Sequence, residues 1–414
     1  MKLPFSKKTI STDALKIEEI LNRSVDKVYP SKDDLKKVLL SGKRITIYVG
    51  IDPTADYVHM GHSTNYLILE RFHKLGHRII VLVGDFTAMI GDPTDKTSAR
   101  VQLSKEQIKK NLTSFKKQIG KILDFNDRSN PIDFKFNSKW LSKLSFEQLI
   151  DISSNFTVQQ MIERDMFQKR LSEKKPLYVH EFFYPLMQGY DSVALGVDIE
   201  MGGTDQTFNM LAGRTLVKRY LNKEKFVIST TLLTNPVTGE KLMSKSLGTG
   251  VGLNESSDSM FGKIMALADE GVVQTFIDCT RLTMEEIQKK KDRLANGVNP
   301  KEIKLELACE VVRMYHGEVA ANKAMANWEN TFSKGNNPDE VETVLVEDGE
   351  MVASVLIRAG LVASKSEWRR LVEQGGIHNT TSDDLVIKDE KEIIKDGMTI
   401  RVGKRKFVKI QVKK

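Results

Sequence analysis

Residues 44–86 read RITIYVGIDPTADYVHMGHSTNYLILERFHKLGHRIIVLVGDF. RITIYVGI (44–51) is a short β-rich run. HSTNYLILERFHKLG (62–76) follows, with Leu69, Phe72 and Leu75 at helical spacing and Gly76 as a stop. HRIIVLVGDF (77–86) is a second, nearly continuous apolar run. Strand, helix and buried strand within about 40 residues make a βαβ unit. Buried parallel strands lack the polar alternation of a sheet with one wet face. The pattern therefore predicts an α/β domain with a doubly wound parallel sheet, whose ligands bind at the carboxyl ends of the strands.

Outward from this unit, helical patterns dominate. ISTDALKIEEILNR and SKDDLKKVLLSG make the first forty residues read as helical, the second opening on Ser31 and closing at Gly42. Ser104 with Gln107, Ser145 with Gln148 and Thr283 with Glu286 are capping-box openings. KFVISTTLL (225–233) is strand-like, and residues 255–332 read as almost wholly helical. SKGNNPDEVETVLVEDGE (333–350) is polar, holds a Gly-Asn-Asn-Pro break and reads as a linker. Beyond it come two short helices in 351–376 and a β-rich tail, LVIKDE and MTIRVGKRKFVKIQV.

A chain of 414 residues is too long for one compact core, so two or three domains are expected. No apolar run approaches the roughly 18 residues that cross a bilayer. The N-terminal MKLPFSKKTISTDALKIEEIL has no apolar h-region and is not read as a secretory signal. Two cysteines, Cys279 and Cys309, make neither a disulfide framework nor a metal-ligand spacing. A reducing, cytoplasmic setting without membrane contact is expected. The net charge is +8, and residues 351–414, with 14 Lys and Arg against 8 Asp and Glu, supply +6 of it. A polyanion binding at that end, through release of counterions, stands beside plain solubility as the reading of this charge.

Four constellations carry chemistry. DPTADYVHMGH (52–62) sets His59 and His62 around Gly61 at the mouth of a helix, where N–H groups and partial positive charge suit phosphate. Alone the two histidines are an ordinary surface turn; the strand before and the helix after favour a ligand. IGDPTDKTSAR (90–100) puts Asp92 at a strand end, with Lys96 and Arg100 four apart. A carboxylate for an ammonium group and two cations for phosphates fit that pattern, as does a solvated turn. In YPLMQGYDSVALGVDIEMGGTDQTFN (184–209), Tyr184, Gln188 and Asp191 share one helix face. GGTDQ is a tight turn that lets backbone approach a ligand, with Asp205 able to hold a ribose diol. GEKLMSKSLGTG (239–250) is a loop of glycines, serines and two lysines, Lys241 and Lys245. It is either a surface turn or a closing grip on a highly charged anion.

Together these elements resemble the class I aminoacyl-tRNA synthetases, and most closely the bacterial-type tyrosyl-tRNA synthetases. HMGH resembles the family's HIGH motif and LMSKS (242–246) its KMSKS loop. The resemblance runs from YVGIDPTADYVHMGH through IGDPT, YPLMQGYD and GGTDQ to MSKS. VLIRAGLVASKSEWRRLVEQGG (355–376) then resembles the small RNA-binding domain, of ribosomal-protein type, that commonly ends these enzymes. The resemblance implies a Rossmann-like catalytic domain over 1–250, an α-helical anticodon-side domain over 251–335 and the small α+β RNA-binding domain over 345–414.

It implies that tyrosine and ATP give tyrosyl-adenylate and pyrophosphate, and that the tyrosyl group then passes to the 3′ end of tRNA(Tyr). Magnesium accompanies the ATP, no tightly bound cofactor is expected, and the chain is a homodimer. Tyr48 and Asp191 bond the substrate's phenol; Asp92, Tyr184 and Gln188 hold its α-amino group. Gly50, Asp52, Thr54, His59, Gly61, His62 and Asn65 line the ATP site. Gly203, Asp205 and Gln206 line the adenylate, with Gln206 also facing the tyrosine. Lys96 and Arg100 lie near the pyrophosphate, and Lys241, Met243, Ser244, Lys245 and Ser246 close on the phosphates, Lys245 foremost. Leu242 stands in the first lysine's usual place, which leaves open whether Lys241 replaces it. Rival readings are a tryptophanyl-tRNA synthetase, a noncatalytic RNA-binding paralogue and a small-molecule nucleotidyltransferase. Tyr48 with Asp191 and the C-terminal RNA-binding domain weigh against the first, the largely intact nucleotide motifs against the second, and the helical and basic C-terminal domains against the third.

Overall fold

The computed structural model describes residues 9–93, 103–239, 242, 250–333, 343–381, 385–403 and 406–413. The chain divides into two compact units, Met1–Gly317 and Glu318–Lys414.

The first unit is built on a six-stranded sheet: β1 (Val25–Tyr29), β2 (Thr46–Ile51), β3 (Arg78–Val83), β4 (Asp133–Phe136), β5 (Ile199–Gly203) and β6 (Phe226–Thr230). Its order is β1-β6-β5-β2-β3-β4. All neighbours run parallel except β1, which pairs antiparallel with β6. β3 is exposed only at Arg78 and buried through the next five residues, as a strand covered on both faces requires. From β2 the chain winds outward through β3 and β4, then returns to β5 on the other side of β2. That reversal opens a crevice at the carboxyl ends of β2 and β5, the usual ligand site of doubly wound sheets.

The helix after β2, Met60–Lys74, buries Met60, Tyr66, Leu67, Ile68, Leu69 and Phe72. It stops before Gly76, whose φ of +93° favours glycine and whose place for a Cβ lies 2.6 Å from the Thr9 carbonyl oxygen. The capping boxes at Ser104, Ser145 and Thr283 all form. The helices Ala14–Asn22 and Lys32–Leu40 also form, N-capped by Asp13 and Ser31.

Three strands of this unit depart from the sequence reading: β1, β4 and β5, whose closing Gly202 and Gly203 the sequence reads as a turn. β1 lies inside the stretch read as helical; its VDKVY has adjacent charges, a register irregularity between Val25 and Lys27, and one buried residue. An edge strand needs no continuous apolar run, so periodicity gives no sign of it. β4 is half-buried along its length for the same reason. Asp92 does not follow a strand directly, because a helical turn, Thr87–Ile90, intervenes after β3.

The helices Ser257–Met265, Val272–Cys279, Met284–Ala295 and Pro300–His316 complete the first unit. They are fastened to its N-terminal end by Arg23, whose guanidinium donates to the carbonyls of Ile277, Thr280 and Leu282 at 2.9, 2.8 and 2.7 Å.

In the second unit, β7 (Thr343–Val346), β8 (Ile377–Asn379), β9 (Leu385–Val386), β10 (Thr399–Val402) and β11 (Lys406–Val412) form a sheet ordered β7-β11-β10-β8-β9. The helices Val352–Arg358 and Lys365–Glu373 share a core with it, among them Val352, Leu356, Trp368, Ile377, Ile400 and Ile410. β7 pairs in parallel with β11, so part of the stretch read as a linker belongs to this sheet. The two short helices and the β-rich tail match the sequence reading.

Candidate active site

The crevice at β2 and β5 gathers most of the residues singled out by sequence into three hydrogen-bonded groups. The first centres on Asp52, just after β2. One carboxylate oxygen accepts from the Thr87 hydroxyl and the other from the Tyr184 hydroxyl, both at 2.8 Å. Gly84, at the end of β3, is close enough that a Cβ there would strike the Asp52 carboxylate. Burial, then the Asp52 charge, pushes the Tyr184 phenol well above its ordinary range. The Thr54 N–H closes the turn onto the Asp52 carbonyl at 2.8 Å. Gly50 is exposed, and a Cβ there would meet nothing within 4 Å.

Asn137 joins this group to Asp191. Its amide donates to Thr87 at 3.1 Å and to one Asp191 oxygen at 3.2 Å. The other Asp191 oxygen accepts from the Trp140 indole N–H at 2.7 Å. Burial nonetheless drives the Asp191 carboxyl well above the usual carboxylate range, against the lowering pull of those two donors. Tyr48 packs in the same buried cluster as Trp140.

The second group joins Asp92 to the turn after β5. Gln206 donates to Asp92 at 2.7 Å and accepts from Asn209 at 3.0 Å. Gly202 and Gly203 end β5, and Thr204–Gln206 is a 3-10 turn. The need for Gly203 is one of space: a Cβ there would sit 2.5 Å from an Asp205 carboxylate oxygen.

The third group lies deeper. The Tyr48 hydroxyl meets the Ser192 hydroxyl at 2.9 Å, and Gln188 donates to Glu200 at 2.9 Å. Ser192 also donates to Glu200 at 3.0 Å, and Lys225 closes an ion pair with that carboxylate.

At the mouth, His59 is the N-cap of Met60–Lys74, its Nδ1 accepting from the Gly61 N–H at 3.1 Å. The His59 N–H in turn donates to His62 Nδ1 at 3.3 Å, and the ring centroids lie 3.8 Å apart with the rings tilted by 42°. With each Nδ1 engaged as acceptor, each neutral ring carries its proton on Nε2, a donor beside the helix N-terminus. Asn65, one turn on, accepts from Thr230 at 2.8 Å.

The chain is described up to Gly239 and again from Gly250, and within the Lys241–Lys245 loop at Leu242. The Leu242 N–H bonds the Leu233 carbonyl at 2.9 Å, and its side chain lies against Gly271, where a Cβ would fall 2.5 Å away. Beyond the loop, Met60 N–H to Val251 O at 2.9 Å and Leu253 N–H to Val58 O at 2.7 Å stitch the returning chain to the HMGH segment. Lys96, Arg100, Lys241, Met243, Ser244, Lys245 and Ser246 lie outside the described residues.

Thr87, Asn137, Trp140, Ser192, Glu200 and Lys225 escape the sequence reading. The legible signal for two of them is charge inside a strand pattern: Glu200 within DIEMGG and Lys225 at the head of KFVIS. Among the described residues, no group of three or more His, Cys, Asp or Glu side chains is placed to hold a metal ion, and no helix is long and apolar enough to cross a membrane.

The family described as tRNA synthetases class I (W and Y) matches residues 40–333. A tyrosine--tRNA ligase of Carboxydothermus hydrogenoformans is 42% identical over 408 residues, covering 95% of this chain and 97% of that one. One of Haemophilus influenzae is 41% identical over 404 residues, covering 97% and 98%. Among solved structures, a C-terminally truncated mitochondrial tyrosyl-tRNA synthetase of Aspergillus nidulans superposes with a TM-score of 0.65 at 24% identity, over 77% of this chain and 94% of that one. At that identity the likeness speaks for the fold alone.

Proposed function

The chain belongs to the class I tRNA synthetases of the tryptophan and tyrosine group, and from that premise we propose that it is a tyrosine–tRNA ligase. The observation that carries the choice of tyrosine is a buried Asp191 carboxylate, held by Trp140 and Asn137, in the same recess as the Tyr48 hydroxyl. A buried carboxylate and a hydroxyl suit a phenol and leave a phenylalanine ring facing a carboxylate with an acceptor position unfilled; this enzyme family is the standing example of such rejection.

In the first step a tyrosine carboxylate oxygen attacks the α-phosphorus of ATP, the bond to the bridging oxygen breaks and pyrophosphate leaves. The carboxylate is already ionised at neutral pH, so the site must position and stabilise charge rather than abstract a proton. His59 and His62 offer Nε2–H donors to phosphate. Asp92, Tyr184 and Gln188 receive the α-ammonium group, and Gly50, Asp52, Thr54, Gly61, Asn65, Gly203, Asp205 and Gln206 surround the nucleotide and adenylate. Lys96, Arg100 and the Lys245 loop take the pyrophosphate end, with magnesium arriving on the ATP phosphates. In the second step a hydroxyl at the 3′ end of tRNA(Tyr) attacks the activated carbonyl and AMP leaves.

We assign catalysis to 1–250, tRNA contacts to the helices of 251–335 and to 345–414, and the cytoplasm as the setting. A homodimer is favoured by the exposed Phe146, Ile150, Val158 and Val179, which a lone chain would leave wet; a monomer by sedimentation at working concentration would refute it. Charging of tRNA(Tyr) by the full chain tests the whole reading. Tyrosine should be esterified to it, and a folded protein that transfers tryptophan instead would overturn the assignment.

A further inference from the structure

Behind the phenol and amino-group ligands lies a buried ion pair that the reaction as described does not use. Lys225, immediately before β6, is fully buried, and Glu200 of β5 is 2% exposed. The three ammonium protons are all engaged: by Glu200, by the Ser192 hydroxyl at 2.8 Å and by the Met210 carbonyl at 3.0 Å. The Glu200 carboxylate has two further donors, Gln188 at 2.9 Å on one oxygen and Ser192 at 3.0 Å on the other. Space for the ammonium comes from Gly213 of the helix Thr207–Leu221. A Cβ there would collide with the Lys225 nitrogen and lie 2.9 Å from the Ser192 oxygen.

An ion pair this deep is not explained by stability, since an apolar pair of similar volume usually serves a core as well or better. Its connections suggest another use. Ser192 has one proton and gives it to the stronger acceptor, the Glu200 carboxylate. Lys225 fills one of its lone pairs. The Ser192 hydroxyl in turn meets the Tyr48 hydroxyl at 2.9 Å, so the ion pair reaches Tyr48 through Ser192. The same carboxylate holds the amide of Gln188.

We propose that the Lys225–Glu200 pair is a positioning device for amino-acid recognition, orienting Gln188 and, through Ser192, holding the Tyr48 hydroxyl where the incoming phenol binds. The inference rests on the reading that Tyr48 and Gln188 bind the amino acid. Burial lowers the Lys225 pKa while Glu200 pulls it back up, consistent with a charge held in place by its partner.

Two variants separate the arms. In Ser192→Ala, Tyr48 loses its hydroxyl partner while Gln188 keeps Glu200. In Glu200→Gln with Lys225→Met, both arms lose their anchor without a stranded charge. The assay is ATP–pyrophosphate exchange with tyrosine and with phenylalanine, which has no phenol, at saturating ATP. For Ser192→Ala the KM for tyrosine should rise about 10-fold, with the KM for phenylalanine unchanged within about 2-fold. For the double variant both KM values should rise, that for tyrosine by about 10- to 100-fold, with the KM for ATP unchanged. A general fall in kcat with unchanged KM ratios, or unchanged KM values in folded protein, would overturn the proposal. If the double variant does not fold, Ser192→Ala alone decides it. Failure of the underlying reading looks different: Tyr48→Phe and Gln188→Ala would then leave the tyrosine KM where it was.

Discussion

Replacing Trp140 by Phe keeps a ring in the cluster around Tyr48 and removes one proton, the indole N–H that Asp191 accepts at 2.7 Å. Of the groups acting on Asp191, Trp140 does most to favour the ionised form, ahead of Asn137 at 3.2 Å. A hydrogen bond to a charged group contributes about 1.5–3 kcal/mol, roughly a 10- to 150-fold change in an equilibrium. Asp191 already sits well above the usual carboxylate range because it is buried, and losing the indole moves it further up. A protonated Asp191 is a much weaker acceptor for a phenol than the carboxylate, and its ionised fraction grows as pH rises. The tyrosine KM of Trp140→Phe should therefore rise by about 10- to 100-fold at neutral pH and recover toward the parent value as pH is raised. Exchange kinetics from about pH 6 to 9, with the ATP KM as internal control, measure this. A tyrosine KM and pH profile that match the parent would refute the role given to the Trp140–Asp191 bond.

Lys245→Ala should slow adenylate formation more than Lys241→Ala, because only Lys245 aligns with the motif; equal losses in single-turnover assays would show that Lys241 takes the absent lysine's part. A chain ending at Ser333 loses β7 together with the rest of its sheet, so it should keep tyrosine-dependent exchange and charge tRNA more weakly, and unimpaired charging would contradict the tail's assignment. His77 is fully buried with neither ring nitrogen hydrogen-bonded among the described residues, and burial, reinforced by Arg44, pulls its pKa down to about 4. An imidazole that stays neutral when folded but binds a proton near pH 6.5 when unfolded contributes stability above that pH and loses it as pH falls toward 4. Between pH 7.5 and 5 the loss is about 2 kcal/mol, and denaturant unfolding of His77→Leu should show a pH dependence smaller by about that amount.

What the sequence made legible was whatever leaves a periodic or local trace. The continuous apolar β3, the helical spacing of Leu69, Phe72 and Leu75, and the Ser-x-x-Gln capping boxes are written in neighbouring residues, and all of them form. β1 and β4 are edge strands with no apolar run, and they exist because β6 and β3 offer them hydrogen bonds. Most motif residues likewise meet where strand order reverses, at β2 and β5. What holds them was less visible. Trp140 and Asn137 lie about fifty residues before the Asp191 they support, and Lys225 finds Glu200 only once β5 and β6 pair. Such contacts depend on strand order, which short-range spacing does not encode.

Amino-acid-dependent ATP–pyrophosphate exchange, run with tyrosine, phenylalanine and tryptophan in parallel, tests the central claim most directly. Exchange with tyrosine and little with the other two is the predicted result, because the recess holds a buried carboxylate and a hydroxyl suited to a phenol. Exchange with tryptophan, or none with any of the three from folded protein, would contradict it.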